Sequence, residues 1–152
     1  MIPKGPKNQE LPSVQIDSAY PSCEKPTDLP PPERLEQEIG YFFRNRALLL
    51  QALTHRSYVD EQAGRGLSHN ETMEFLGDAI LGFFISRELR RRFPEAKVGA
   101  LAKAKSYLVS TAHLYQLAGS LQLGSCLLLS TSEEKTLGRQ KRALLADAYE
   151  AL

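Results

Sequence analysis

The sequence predicts an all-α domain, and three observations carry that expectation. From residue 33 onward apolar residues recur at helical spacing. No stretch alternates apolar and polar residues as a half-buried strand would, and glycine- or serine-rich breaks separate the apolar segments. At 152 residues and 42% hydrophobic, the chain is long enough for one ordinary domain with a packed core and too short for two. No internal repeat is present.

The elements follow in order. Residues 1–32 hold eight of the nine prolines and end in Pro30-Pro31-Pro32. Their apolar residues have no period. Such a segment cannot bury enough surface to offset its ordering entropy, so 1–32 reads as a disordered tail and 33–152 as the folded domain. Leu35, Ile39, Phe42 and Phe43 define a first helix, and Leu48, Leu49, Ala52 and Leu53 a second, shorter one. Glu61 to Ser68, with Gly64 and Gly66, reads as a loop. Ser68 or Asn70 can cap the next helix, and Ser68 with Glu71 fits a capping box. That helix is expected from Glu71 to Phe93, where Pro94 stops it. A further helix is expected over 99–121 and a loop rich in Ser, Thr and charge over 130–138. A last helix begins near Gln140 and is still running at Leu152.

Composition narrows the function classes. There are 19 Lys+Arg against 18 Asp+Glu, a formal charge of +1, so any hold on nucleic acid must come from local basic patches. Cys23 and Cys126 sit far apart, outside any CxxC or Cys/His ligand pattern, and read as reduced thiols. No apolar run approaches the length of about 20 residues that spans a bilayer. The N-terminus lacks a signal peptide, and Glu10, Asp17, Glu24 and Asp28 argue against a mitochondrial transit peptide. A soluble cytoplasmic protein without a membrane partner is expected.

The informative feature is a set of acids inside apolar helices. Glu71, Glu74 and Asp78 are spaced i, i+3, i+7 and share one helix face. The same helix continues as Ala79-Ile80-Leu81-Gly82-Phe83-Phe84-Ile85, apolar all round, which predicts a buried helix. The helix dipole accounts for Glu71 but gives little to Asp78, two turns in. Asp147 and Glu150 form a second i, i+3 pair, again in an apolar helix. Packed side by side, the two helices would gather four carboxylates around one point. Oxygen-only ligand sets suit hard cations such as Mg²⁺ or Mn²⁺. The competing reading is two unrelated helices with capping and surface acids.

The stretch Asn70-Glu71-Thr72-Met73-Glu74-Phe75-Leu76-Gly77-Asp78-Ala79-Ile80-Leu81 resembles the signature helix of the ribonuclease III family. Ala52-Leu53-Thr54-His55-Arg56-Ser57-Tyr58 is similar to that family's upstream block, and Leu145 to Leu152 to its second acidic motif. The resemblance covers about residues 33–152. It implies the all-helical endonuclease-domain fold, working as a homodimer on double-stranded RNA in RNA processing. Each subunit would cut one strand and leave 5′-phosphate and 3′-hydroxyl ends with a short 3′ overhang. It also implies Glu74, Asp147 and Glu150 as Mg²⁺ ligands, with Asp78 and Glu150 as the catalytic acids that organise the attacking water. Glu71 would be an auxiliary acid on the RNA side, and the signature helix would contribute to the dimer interface.

Three departures from the family pattern stand out. Val98 occupies a position where an acid is usual, Leu137 stands where the first glycine of a Gly-Gly turn is common, and the chain stops at Leu152, before the family's usual extension. The last is expected to leave the core incomplete and Glu150 in a fraying turn. Basic candidates for RNA contact are Lys103, Lys105, Arg139, Lys141 and Arg142, with Lys97 beside them; the run Arg87, Arg90, Arg91, Arg92 is better explained by the C-terminal helix dipole. His55 is expected to be a structural hydrogen-bonder. The alternatives are a non-catalytic RNA-binding or scaffold member of the same fold, an inactive fragment, or a helical dimerisation module without an RNA role.

Overall fold

The computed structural model describes residues 31–63 and 66–152. Most of the segment expected to be a disordered tail therefore lies outside the described residues, as does Cys23. The described chain is helical: α1 (Pro31–Ile39), α2 (Arg46–Ala52), α3 (Arg56–Glu61), α4 (Glu71–Arg92), α5 (Val98–Leu108), α6 (Thr111–Ser120), α7 (Thr131–Lys135) and α8 (Arg142–Ala151). Short 3₁₀ turns at Leu123–Cys126 and Gly138–Gln140 complete it. Among the described residues there is no strand, only an isolated parallel bridge between Thr54 and Leu128.

Local chemistry sets the boundaries. Helix α1 starts at Pro31, so the last two residues of the proline run supply its first turn, where a missing N–H costs nothing. It ends at Gly40, φ +67°, before Phe42 and Phe43, which sequence spacing assigned to it. The expected helix 99–121 is two helices. Ser110 sits in extended backbone and its side chain accepts a hydrogen bond from the His113 N–H at 3.3 Å, capping α6 and breaking the run. In the same way Ser130 accepts from the Glu133 N–H at 3.1 Å and starts α7 inside the expected loop. The capping box at Ser68 does not form. The N-cap of α4 is Asn70, which is buried, makes no side-chain cap, and donates its N–H to the Thr54 carbonyl at 2.9 Å.

Helix α8 lies between α6 and α4. Toward α6 it contributes Leu145 and Ala148 to a core with Leu35, Leu49, Leu53, Ala118, Leu123, Leu127 and Leu129. Each fully buried leucine contributes about 1.5–3 kcal/mol, so this side fixes where α8 sits. Its other side meets α4 and carries the acids.

Helix α4 corrects one expectation. An all-round apolar helix is expected to be buried, yet only Gly82 and Leu89 are buried in α4. Phe75 is 82% exposed, and Leu76, Ile80, Phe83 and Phe84 are also open to solvent. Neighbours α8 and α5 cover part of its circumference, and among the described residues nothing covers the rest.

Candidate metal centre

The centre is built where α8 crosses α4. Glu74, in the first turn of α4, and Asp147 and Glu150, one turn apart on α8, place one carboxylate oxygen each within 4.8 Å of one another. All three are half-buried. None takes part in the ion pairs formed among the described residues. Burial without a basic partner raises their affinity for protons. Glu150 is pushed up to about 7 by burial and then by the charges of Asp78, Asp147 and Glu74. Glu74 is raised by burial, then by Asp147, Glu71 and Asp78. Asp147 is raised by burial, and His55 opposes that rise. Three converging oxygen donors that repel one another fit a hard divalent cation, which would replace the missing positive charge.

The other two acids stand differently. Asp78 is exposed, not buried as sequence position suggests, but its charge acts on both Glu74 and Glu150, so it borders the open side of the cluster. Glu71 turns to the N-terminal side of α4, 3.6 Å from Arg56 and 3.7 Å from His69 Nδ1.

His55 is tied down. Its Nδ1 accepts from the Ser57 N–H at 3.2 Å and lies 2.8 Å from Ser57 Oγ, capping α3. Ser57 Oγ in turn accepts the Ser130 N–H at 3.1 Å, and the His55 N–H donates to the Leu128 carbonyl at 3.0 Å. The histidine close enough to act on Asp147 is therefore held by two chain segments. Sequence spacing alone links His55 to no acid.

The basic candidates divide. Lys103 is exposed on α5. Lys105 is half-buried in the groove between α4 and α5, which Ser86, Leu89, Val98, Leu101 and Ala102 also line. Arg139 donates to both carboxylate oxygens of Glu134, at 3.0 Å through Nε, and to the Gly124 carbonyl at 2.7 Å through Nη1. Lys141 binds the Glu133 carboxylate and, at 2.9 Å, Thr136 Oγ1. Arg142 is exposed, 5.7 Å over the Tyr115 ring. Among the described residues, Lys103, Arg142 and Lys105 thus form no ion pair like those that hold Arg139 and Lys141.

A ribonuclease-III-like family model matches residues 45–152. The chain belongs to that family. Among ribonuclease 3 proteins, that of Geobacter sulfurreducens is 50% identical over 120 residues, covering 79% of this chain and 48% of that protein. That of Solibacter usitatus is 47% identical over 126 residues, covering 80% of this chain and 46% of that protein. The chain thus spans about half the length of the curated relatives it matches. A solved structure of the ribonuclease III nuclease domain of Campylobacter jejuni, described for flexibility in a region involved in dimer formation, superposes with a TM-score of 0.71 at 38% identity. It covers 77% of this chain and 78% of that one. The all-helical fold is that of the ribonuclease III nuclease domain. Val98 opens α5 and is 83% exposed, an apolar residue facing solvent.

Proposed function

We propose that this chain is the nuclease domain of a divalent-metal-dependent endoribonuclease that hydrolyses phosphodiester bonds in double-stranded RNA, leaving 5′-phosphate and 3′-hydroxyl ends. The observation that carries the reading is the convergence of Glu74, Asp147 and Glu150 in a ribonuclease-III-like fold. These three would hold Mg²⁺, or Mn²⁺ in its place. Such an ion, when bound, supplies Lewis-acid stabilisation of phosphate charge and a water of lowered pKa. Asp78, exposed and close enough for its charge to act on Glu150, would help organise the metal and the attacking water. Glu150, which feels the charges of Asp78, Asp147 and Glu74 together, would share that role. Glu71, held by Arg56, belongs to the RNA side.

Duplex RNA is recognised through phosphates and 2′-hydroxyls. Lys103, Lys105 and Arg142 are the direct candidates for those contacts. Arg139 and Lys141 reach a phosphate only by exchanging Glu134 and Glu133 for it. The partner that covers the exposed face of α4 is a second copy of the chain, in keeping with the dimer-forming region named for the Campylobacter jejuni domain. The setting is RNA processing in the cytoplasm; among the described residues no helix is long and apolar enough to cross a membrane.

The test is incubation of an end-labelled RNA duplex with the protein and Mg²⁺, against EDTA and against Asp78→Asn and Glu150→Gln. Cleavage that EDTA abolishes, and that each variant lowers by about 100-fold or more, is expected for groups acting on the reacting atoms. A folded protein that shifts the duplex but never cuts it would replace the nuclease with a scaffold.

A further inference from the structure

Helix α4 contains two interior glycines, and each costs about 1 kcal/mol relative to alanine. They meet different neighbours. At Gly82 an added Cβ would lie 3.4 Å from Lys105 Nζ, the mobile end of a long side chain. At Gly77 it would lie 1.7 Å from the Glu150 carbonyl oxygen, 2.6 Å from its carbonyl carbon and 3.5 Å from its Cα. All three are backbone atoms, so no rotamer change relieves the overlap. Gly77 stands three residues after Glu74 and one before Asp78, on the side of α4 that faces α8. The missing side chain is thus a notch, and the backbone of a candidate metal ligand rests in it.

We propose that Gly77 is a positioning residue: its notch seats the last turn of α8 and sets the separation of Glu150 from Glu74, and with it the size of cation the cluster accepts. This rests on reading Glu74, Asp147 and Glu150 as a metal centre. Real Cβ atoms essentially never come within 3.0 Å of such neighbours, so any side chain at 77 drives α8 back by more than an ångström. Metal sites tolerate deviations of only about 0.2 Å. Mg²⁺ and ions of its size need short oxygen bonds of about 2.0–2.1 Å in octahedral array, whereas Ca²⁺ accepts about 2.3–2.6 Å in looser geometry. A widened cluster therefore loses the small ion first.

The experiment compares the full chain with its Gly77→Ala and Gly82→Ala variants. Mn²⁺ binding is followed by electron paramagnetic resonance, Ca²⁺ by competition, and the fold by circular dichroism. Gly77→Ala is expected to keep its helical spectrum, to lose Mn²⁺ affinity by about 10- to 100-fold, and to lose Ca²⁺ affinity by less, so that the Mn²⁺ preference shrinks. Gly82→Ala should stay within about twofold of wild type on both ions. Should Gly77→Ala not fold, the pair is repeated in a Leu137→Gly background, a substitution outside both α4 and α8. Equal Mn²⁺ affinity in folded Gly77→Ala overturns the inference alone, and so does an equal loss for both ions. Absence of Mn²⁺ binding by the wild-type chain removes the metal-centre reading and the inference with it. Failure to fold in both backgrounds, with Gly82→Ala folded, makes Gly77 a requirement of the fold and overturns the positioning role.

Discussion

Glu150 shows what a cluster of converging acids costs in stability. Its carboxyl is raised from 4.5 to about 7 by burial first and then by three neighbouring acids. Between about pH 4.5 and 7 the folded metal-free chain therefore holds a proton that the unfolded chain has released. Folded stability must fall as pH rises through that window, and the loss persists above it. Glu74 and Asp147, also raised, act with the same sign. The full shift would convert to a few kcal/mol, but solvent at the open side of the cluster brings the effect to about 1–2 kcal/mol. In EDTA, Glu150→Gln should flatten most of the pH slope and exceed wild type in stability by that amount above neutral pH, while failing to bind metal. Urea melts of both proteins across the window test this. A slope unchanged by the substitution would mean that the cluster's charges are already screened.

At the scale of elements, turns and caps decide what periodicity leaves open. Leu137 joins α7 to the turn before α8 and adopts φ 57°, ψ 39°, a left-handed conformation that costs a non-glycine residue about 1–2 kcal/mol. Its side chain is largely exposed, so little burial offsets that cost. Leu137→Gly should stabilise the chain by about 0.5–1 kcal/mol after the extra freedom of glycine in the unfolded state is subtracted. The gain should appear as a higher urea midpoint at unchanged slope; a lower midpoint would show that the leucine packs usefully after all.

That turn also shows what was legible. The extent of α4, from the acids after Asn70 to the stop at Pro94, and the Asp147/Glu150 spacing on α8 could be read directly; how much of α4 its own chain covers could not, because an all-round apolar helix reads the same buried or open. The break at Ser110 could not, because an apolar period runs through it and one side-chain hydrogen bond ends it. Six-residue α3 is too short to show a period at all. The pairing of Arg139 with Glu134 and of Lys141 with Glu133 depends on a fold-back of five and eight residues, which charge content alone does not reveal. Gly77 did carry a signal, a helix-weakening residue between two acids, but only the crossing of α8 supplies its reason.

At the scale of the whole molecule, the described residues leave one side finished and one side open. The α6–α8 side buries its leucines, while α4 leaves Phe75, Leu76, Ile80, Phe83 and Phe84 to solvent, with Phe83 and Phe84 edge to face at 5.5 Å. Clusters of large apolar side chains like this mark interaction surfaces in soluble proteins. A self-complementary pairing of two such faces would bury them around a two-fold axis and bring two metal centres into one particle. That arrangement would suit a duplex, whose two strands each need one cut. Phe83, 63% exposed, is the position to test, because it lies more than two turns of α4 beyond Glu74 and contributes little to its own chain's core. Phe83→Asp should leave the metal-free unfolding midpoint of dilute protein nearly unchanged, within about 0.5 kcal/mol. It should convert a dimer to a monomer in sedimentation velocity at concentrations where wild type is paired, and retain Mn²⁺ binding per chain. A wild-type chain that sediments as a monomer throughout the micromolar range would leave the face of α4 without its second copy.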